Sequence, residues 1–171
     1  DISEQKINTL DIATRSALDT LQSPVHVLVF FSAYNDQYEN FPILEKTKAL
    51  LYEYSSYSSK VLVDYYNPDL MPSICRKVAV EKGLDFSRLS SFALVEYQGR
   101  RAIVPWDYIA QQQVNMFGQK YRQFNGETTF TTAIKRVMDP RMPVVYLTEE
   151  HGEFDSYRKE DMARSVTNFA S

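Results

Sequence analysis

Apolar positions along the chain alternate between helical spacing and short dense runs, and that alternation predicts the elements. Behind Ser3, a candidate N-cap, Ile7, Leu10, Ala17, Leu18 and Leu21 recur near the helical period until Ser23-Pro24 stops them, which predicts a helix over 3–22. Val25 to Phe31 is apolar on both parities and rich in β-branched residues, the pattern of a central strand covered on both faces. Pro42 opens a second helix with Ile43, Thr47, Leu50, Leu51 and Tyr54 on one face and Glu45 and Lys46 on the other. Lys60 to Tyr66 reads as a second strand, closed by the turn Asn67-Pro68-Asp69. A strand, helix, strand unit of this size implies parallel pairing.

Pro72 begins a short helix ending at Gly83, placed for a left-handed cap. Phe92–Tyr97 and Arg101–Pro105 read as an antiparallel hairpin turning at Gln98-Gly99-Arg100. Residues 106–126 mix aromatics with five glutamines without a clean period, which fits helix or loop. Thr128 or Thr129 is a candidate cap for a last helix whose apolar face is Phe130, Ala133, Ile134, Val137 and Met138, ending at Asp139-Pro140. The element order between Val25 and Asp139 is that of an α/β thioredoxin-like domain with a mixed sheet flanked by helices. After Pro143, Val144–Thr148 is a fresh strand, followed by the loop Glu149–Glu153 and a helix near 158–170. The expected organisation is an N-terminal helix over 1–23, the thioredoxin-like domain over 24–139, and the first strand, loop and helix of a truncated second α/β domain over 140–171.

The 171 residues carry 19 Lys+Arg against 22 Asp+Glu, a net charge of −3, so no basic stripe for nucleic acid is present. One cysteine, Cys75, excludes a Cys-x-x-Cys redox pair and a multi-cysteine zinc site. The thioredoxin-like position for such a pair, just after the first strand at Ser32–Asp36, holds no sulfur. No run approaches the roughly 20 apolar residues that span a bilayer. The first residue is Asp, which suggests a piece of a longer protein whose preceding segment includes a membrane anchor.

Five segments in order and register then carry a resemblance: Pro24–Ser32, Val63–Asp69, Val95–Arg101, Phe124–Glu127 and Val144–Glu153. Together they resemble the gliding-motility type (GldG-like) auxiliary component of ABC transporters. One departure is Glu150-His151-Gly152-Glu153, where the family has Gly-His-Gly-Glu. The resemblance implies an extracytoplasmic, periplasmic domain of a bacterial inner-membrane protein, tethered by helices outside these residues. Its implied partners are a permease, an ATPase and a sister auxiliary membrane protein, with no cofactor. The implied second domain is of flavodoxin or class I amidotransferase type, without the nucleophilic cysteine.

Two places are candidate sites. The loop with Glu149, Glu150, His151 and Glu153 follows the carboxyl end of a predicted parallel strand, where open α/β sheets place ligands. Trp106, Tyr108, Phe117 and Tyr121, with Tyr34, Tyr38 and Phe41, are candidates for an aromatic docking surface, against core filling. His26, Asp64, Asp69 and Cys75 read as structural, with Asp69 capping the next helix. Arg100-Arg101 read as a solvated hairpin tip or a partner contact. The expected function is a non-enzymatic interaction domain of an ABC-transporter accessory subunit, linked to gliding motility or export. The alternatives are a ligand- or carbohydrate-sensing domain and a degenerate thiol oxidoreductase. An unpaired strand in the truncated tail would favour a homodimer by edge pairing.

Overall fold

Every residue from Val25 to Phe30 except His26 is buried, so this strand has no face left for water. The computed structural model describes residues 10–32, 41–85 and 91–142, apart from the side chains of 41 and 42. The architecture is mixed α/β, a four-stranded mixed sheet flanked by helices, in agreement with the sequence. Strand β1 (Val25–Phe30) pairs in parallel with β2 (Val61–Tyr66) and antiparallel with β3 (Phe92–Tyr97). Beyond β3 lies β4 (Arg100–Pro105), giving the order β2-β1-β3-β4. The turn between β3 and β4 has two residues, Gln98 and Gly99, both at positive φ, so Arg100 belongs to the strand. Such a turn matches the twist of the strands it joins.

One face of the sheet packs beneath α1 (Ile12–Asp19), α2 (Phe41–Tyr57) and a C-terminal helix, Gly126–Met138. All five residues expected on the inner face of α2 are buried, from Ile43 to Tyr54. The opposite face carries Leu28, Phe30, Phe92 and Leu94 beneath α3 (Pro72–Lys82). Phe30 stacks between Tyr66 and Phe92, with ring centroids 5.0 and 4.8 Å away. Gly83 closes α3 in the left-handed conformation expected of it. No helix among the described residues is long and apolar enough to cross a membrane.

Three expectations need correction. Within the described part of 3–22 the helix runs from Ile12, where the Asp11 side chain caps it by accepting from Ala13 N–H, to Asp19, and Leu10 is buried just ahead of the cap. Ser3 lies outside the described residues. Residues 106–126 form a single turn, α4 (Trp106–Ile109), and then a hairpin of β5 (Ala110–Val114) and β6 (Lys120–Phe124). Helix α5 (Gly126–Met138) starts behind Asn125, earlier than the threonine caps allow, because Thr129 Oγ1 is bonded to the carbonyls of Asn125 and Tyr108. A side chain at Gly126 would also meet the Phe124 ring at 2.4 Å, so the hairpin returns to the core over a bare backbone.

Polar joints hold the helices to one another. Hydroxyls of Tyr54, Thr131 and Thr14 stand 2.7 and 2.8 Å apart, and Thr14 donates to Glu127 Oε1 at 2.8 Å. The same carboxylate accepts from Asp11 N–H at 2.6 Å, so one chain of bonds links α1, α2 and α5. Arg100 closes the other end of α5. Its guanidinium donates to the carbonyls of Val137 and Asp139, acceptors that a helix terminus leaves open, and to those of Pro140 and Met142 just beyond it.

Replacing Arg100 by Ala or Lys is expected to destabilise the chain by about 1–3 kcal/mol, since neither can reproduce the fork of donors. Urea unfolding checks this, and a Lys variant as stable as the parent would refute it. Burial pushes the Tyr54 phenol well above its ordinary value and that of Tyr65 up to about 12. The unfolded chain ionises first, so stability is complete below about pH 10 and falls as pH rises through the folded values. Tyr54→Phe is expected to lose about 1 kcal/mol at pH 7 and to flatten that alkaline decline, measured by urea unfolding across pH.

Candidate functional site

Strand β1 delivers its carboxyl end to a rim shared with β2. Phe31 N–H still pairs with Tyr66 O at 2.9 Å, extending the parallel ladder by one bond before the chain leaves the sheet. Ser32 follows. Its N–H donates to Ser91 Oγ at 3.2 Å and its hydroxyl to Asp69 Oδ2 at 2.9 Å. Asn67 shapes the opposing turn, its Oδ1 accepting from Asp69 N–H and its carbonyl from the N–H groups of Leu70 and Met71. The turn therefore presents Asp69 to Ser32, and the cap position of α3 is taken by Met71, which makes no side-chain cap bond. Leu70, Met71 and Ile74 stand exposed beside this polar pair, Leu70 at 78%.

The carboxyl ends of parallel strands are where open α/β sheets hold their ligands. Among the described residues the side-chain partners of Ser32 are a carboxylate and a second serine, not the histidine or lysine that most often activates a hydroxyl nucleophile. Among the described residues no histidine or cysteine is bonded to Ser32. Cys75 is instead buried on α3 at 3% exposure, and burial pushes its thiol up, away from the reactive thiolate. No group of three or more metal-ligating side chains occurs among the described residues.

The other end of the α3-covered face is charged. His26 Nε2–H donates to Asp64 Oδ2 at 2.5 Å, joining β1 to β2. Glu96, only 17% exposed, sits 2.7 Å from Lys82 Nζ and 3.1 Å from Arg101 Nε. Arg101 also donates to the Lys82 carbonyl at the end of α3. Neither arginine of the hairpin is therefore a free solvated tip. Arg100 clamps α5 and Arg101 ties β4 to α3, a role visible only once the two helix ends are brought to the turn.

The aromatic candidates part company. Trp106 is 8% exposed and packs edge-on against Phe31 with ring centroids 4.5 Å apart, so it belongs to the core rather than to a surface. Tyr108 is half-buried, and its carbonyl accepts from Thr129. Phe117 and Tyr121 are exposed, on the β5–β6 hairpin. Sequence reasoning missed Val114 and Met116 beside them, although β5 alternates inward and outward positions along Ala-Gln-Gln-Gln-Val. Tyr34, Tyr38, the side chain of Phe41 and the whole Glu149, Glu150, His151, Glu153 loop lie outside the described residues.

Labelling of Cys75 by an aromatic disulfide reagent at pH 8 is expected to run roughly a hundredfold slower in the native chain than in denaturant, as burial and a raised thiol pKa require. Stoichiometric reaction within seconds in native buffer would show an accessible thiol instead.

No curated protein and no solved structure matches the chain. A family model described as a domain of unknown function (DUF7088) matches residues 4–126, from ahead of α1 to the first residue of α5, and the chain belongs to that family.

Proposed function

We propose that this chain is a non-enzymatic interaction domain of thioredoxin-like form, the extracytoplasmic part of an ABC-transporter accessory subunit. The observation that carries the reading is the rim at the end of β1. Where this strand order offers a place for chemistry, Ser32 is engaged by Asp69 and Ser91, and among the described residues Leu70, Met71 and Ile74 stand exposed beside it. Apolar side chains around a satisfied polar pair suit docking, in which a few buried anchors supply most of the affinity. Strand order β2-β1-β3-β4 with one parallel and two antiparallel pairings supports the thioredoxin-like form. The resemblance to gliding-motility type auxiliary components supports the bacterial inner membrane as the location, and a permease, an ATPase and a sister subunit as the partners. A fold hosts many functions, so the rim and the resemblance bear the functional reading, not the architecture.

The test is affinity purification of the tagged full-length protein from native membranes in mild detergent, with co-purifying proteins identified by mass spectrometry. A permease and an ATPase are expected, and Leu70→Ser with Ile74→Ser is expected to cut their recovery roughly tenfold while the circular dichroism spectrum is unchanged. Recovery of the protein alone, under conditions that keep other transporters assembled, would refute the accessory-subunit reading. Full recovery with the double variant would refute the rim.

A further inference from the structure

The β5–β6 hairpin ends in an apex that a soluble surface has no need of. Met116 is 95% exposed and Phe117 84%, with Val114 at 60% and Tyr121 at 47% behind them. The apex is built rather than loose. Asn115 Oδ1 accepts from the N–H groups of Phe117 and Gln119, each at 2.9 Å, and its Nδ2 donates to Gln119 Oε1. Backbone bonds from Asn115 N–H to Gln119 O and from Gly118 N–H to Asn115 O close the turn. Gly118 takes a φ of +76°, a conformation that side-chain-bearing residues rarely adopt. These bonds hold two large apolar side chains in water, and such preorganisation favours whatever accepts them.

The order of residues away from the apex identifies the acceptor. Met116 and Phe117 lead, the Val114–Lys120 pair comes next, then Gln113–Tyr121, then Gln112–Arg122. At about 3.4 Å per strand residue the Tyr121 pair lies within about 10 Å of the apex, and an apolar face rests about 5–10 Å deep in the headgroup and acyl boundary of a bilayer. Tyrosine and lysine are the side chains that bridge such a boundary, apolar along the stem and polar at the end. From Tyr108 to Gly126 there is no acidic residue, although the whole chain carries −3. Arg122 is engaged by Asp107 and by the Ala110 carbonyl, which leaves Lys120 as the cation facing outward at the apex. A stable protein partner needs roughly 800 Å² from each side, more than four side chains at a convex tip supply.

We infer that the β5–β6 hairpin is a membrane-contact element, inserting Met116 and Phe117 into the interface of a bilayer with Lys120 beside anionic phospholipid headgroups. Two inserted side chains and one cation give a weak, reversible contact, suited to orienting a protein held near a membrane by something else. The inference is independent of the rim at Ser32 and of any transporter partner.

Co-sedimentation of the full chain with vesicles of phosphatidylcholine and phosphatidylglycerol tests it. Binding is expected, weakened roughly tenfold or more by Met116→Ser with Phe117→Ser. Lys120→Gln should weaken it about fivefold, and only where phosphatidylglycerol is present. Phe117→Trp should show blue-shifted emission with vesicles and quenching by brominated lipid, read against the constant background of buried Trp106. No sedimentation at millimolar lipid, binding indifferent to the serine variant, or unshifted emission from the Phe117→Trp variant would each overturn the inference. So would a serine variant that loses co-purifying proteins in detergent while binding vesicles like the parent, since the hairpin would then be a protein contact. The Leu70 and Ile74 variants are expected to bind vesicles normally, so this inference and the proposed docking rim fail separately.

Discussion

Burial of β1 on both faces is the constraint from which the rest of the structure follows. A strand with no polar face must be flanked on both edges and covered on both sides, since each unpaired backbone group or uncovered apolar residue costs free energy. β2 and β3 supply the edges, α1, α2 and α5 cover one side, and α3 covers part of the other. The exception at His26 is consistent with this. That residue lies toward the end of the face where α3 finishes at Lys82, and there the sheet changes from stacked aromatics to polar pairs, His26 with Asp64 and Glu96 with Lys82 and Arg101.

Several polar groups within this frame join one element to another. The Tyr54, Thr131, Thr14 and Glu127 chain fixes the mutual position of three helices, and Arg100 fixes where α5 ends. Several segments singled out in the sequence have the same meaning. In Val63–Asp69, Asn67 and Asp69 shape the turn beside Ser32; in Val95–Arg101, Glu96, Arg100 and Arg101 tie strands to helix ends; in Phe124–Glu127, Asn125 leads into α5, Gly126 admits the Phe124 ring and Glu127 binds α1. In each of these segments the named side chains hold one element to another.

Two exposed surfaces among the described residues set apolar side chains beside ordered polar groups. The rim beside Ser32 offers apolar side chains around a satisfied polar pair, and the hairpin offers an apolar apex on a rigid turn. One is anchored in the sheet and the other extends from it through Trp106 and α4.

The central strand, the inner face of α2, the cap at Gly83, the β3–β4 hairpin and the apolar face of α5 were legible in the sequence, because periodicity and turn chemistry are local properties. The β5–β6 hairpin was not, since Gln-rich strands half-exposed to water carry little hydrophobic contrast and their pairing depends on the core they return to at Phe124 and Gly126. Whether an aromatic is core or surface was equally beyond sequence, as Trp106 and Phe117 differ only in what the fold brings next to them. The sequence by itself determined the mixed α/β class and the absence of paired cysteine chemistry. Tertiary structure alone decided that Arg100 would meet the end of α5 and that Ser32 would meet Asp69 and Ser91, because those contacts join residues 37 to 59 positions apart.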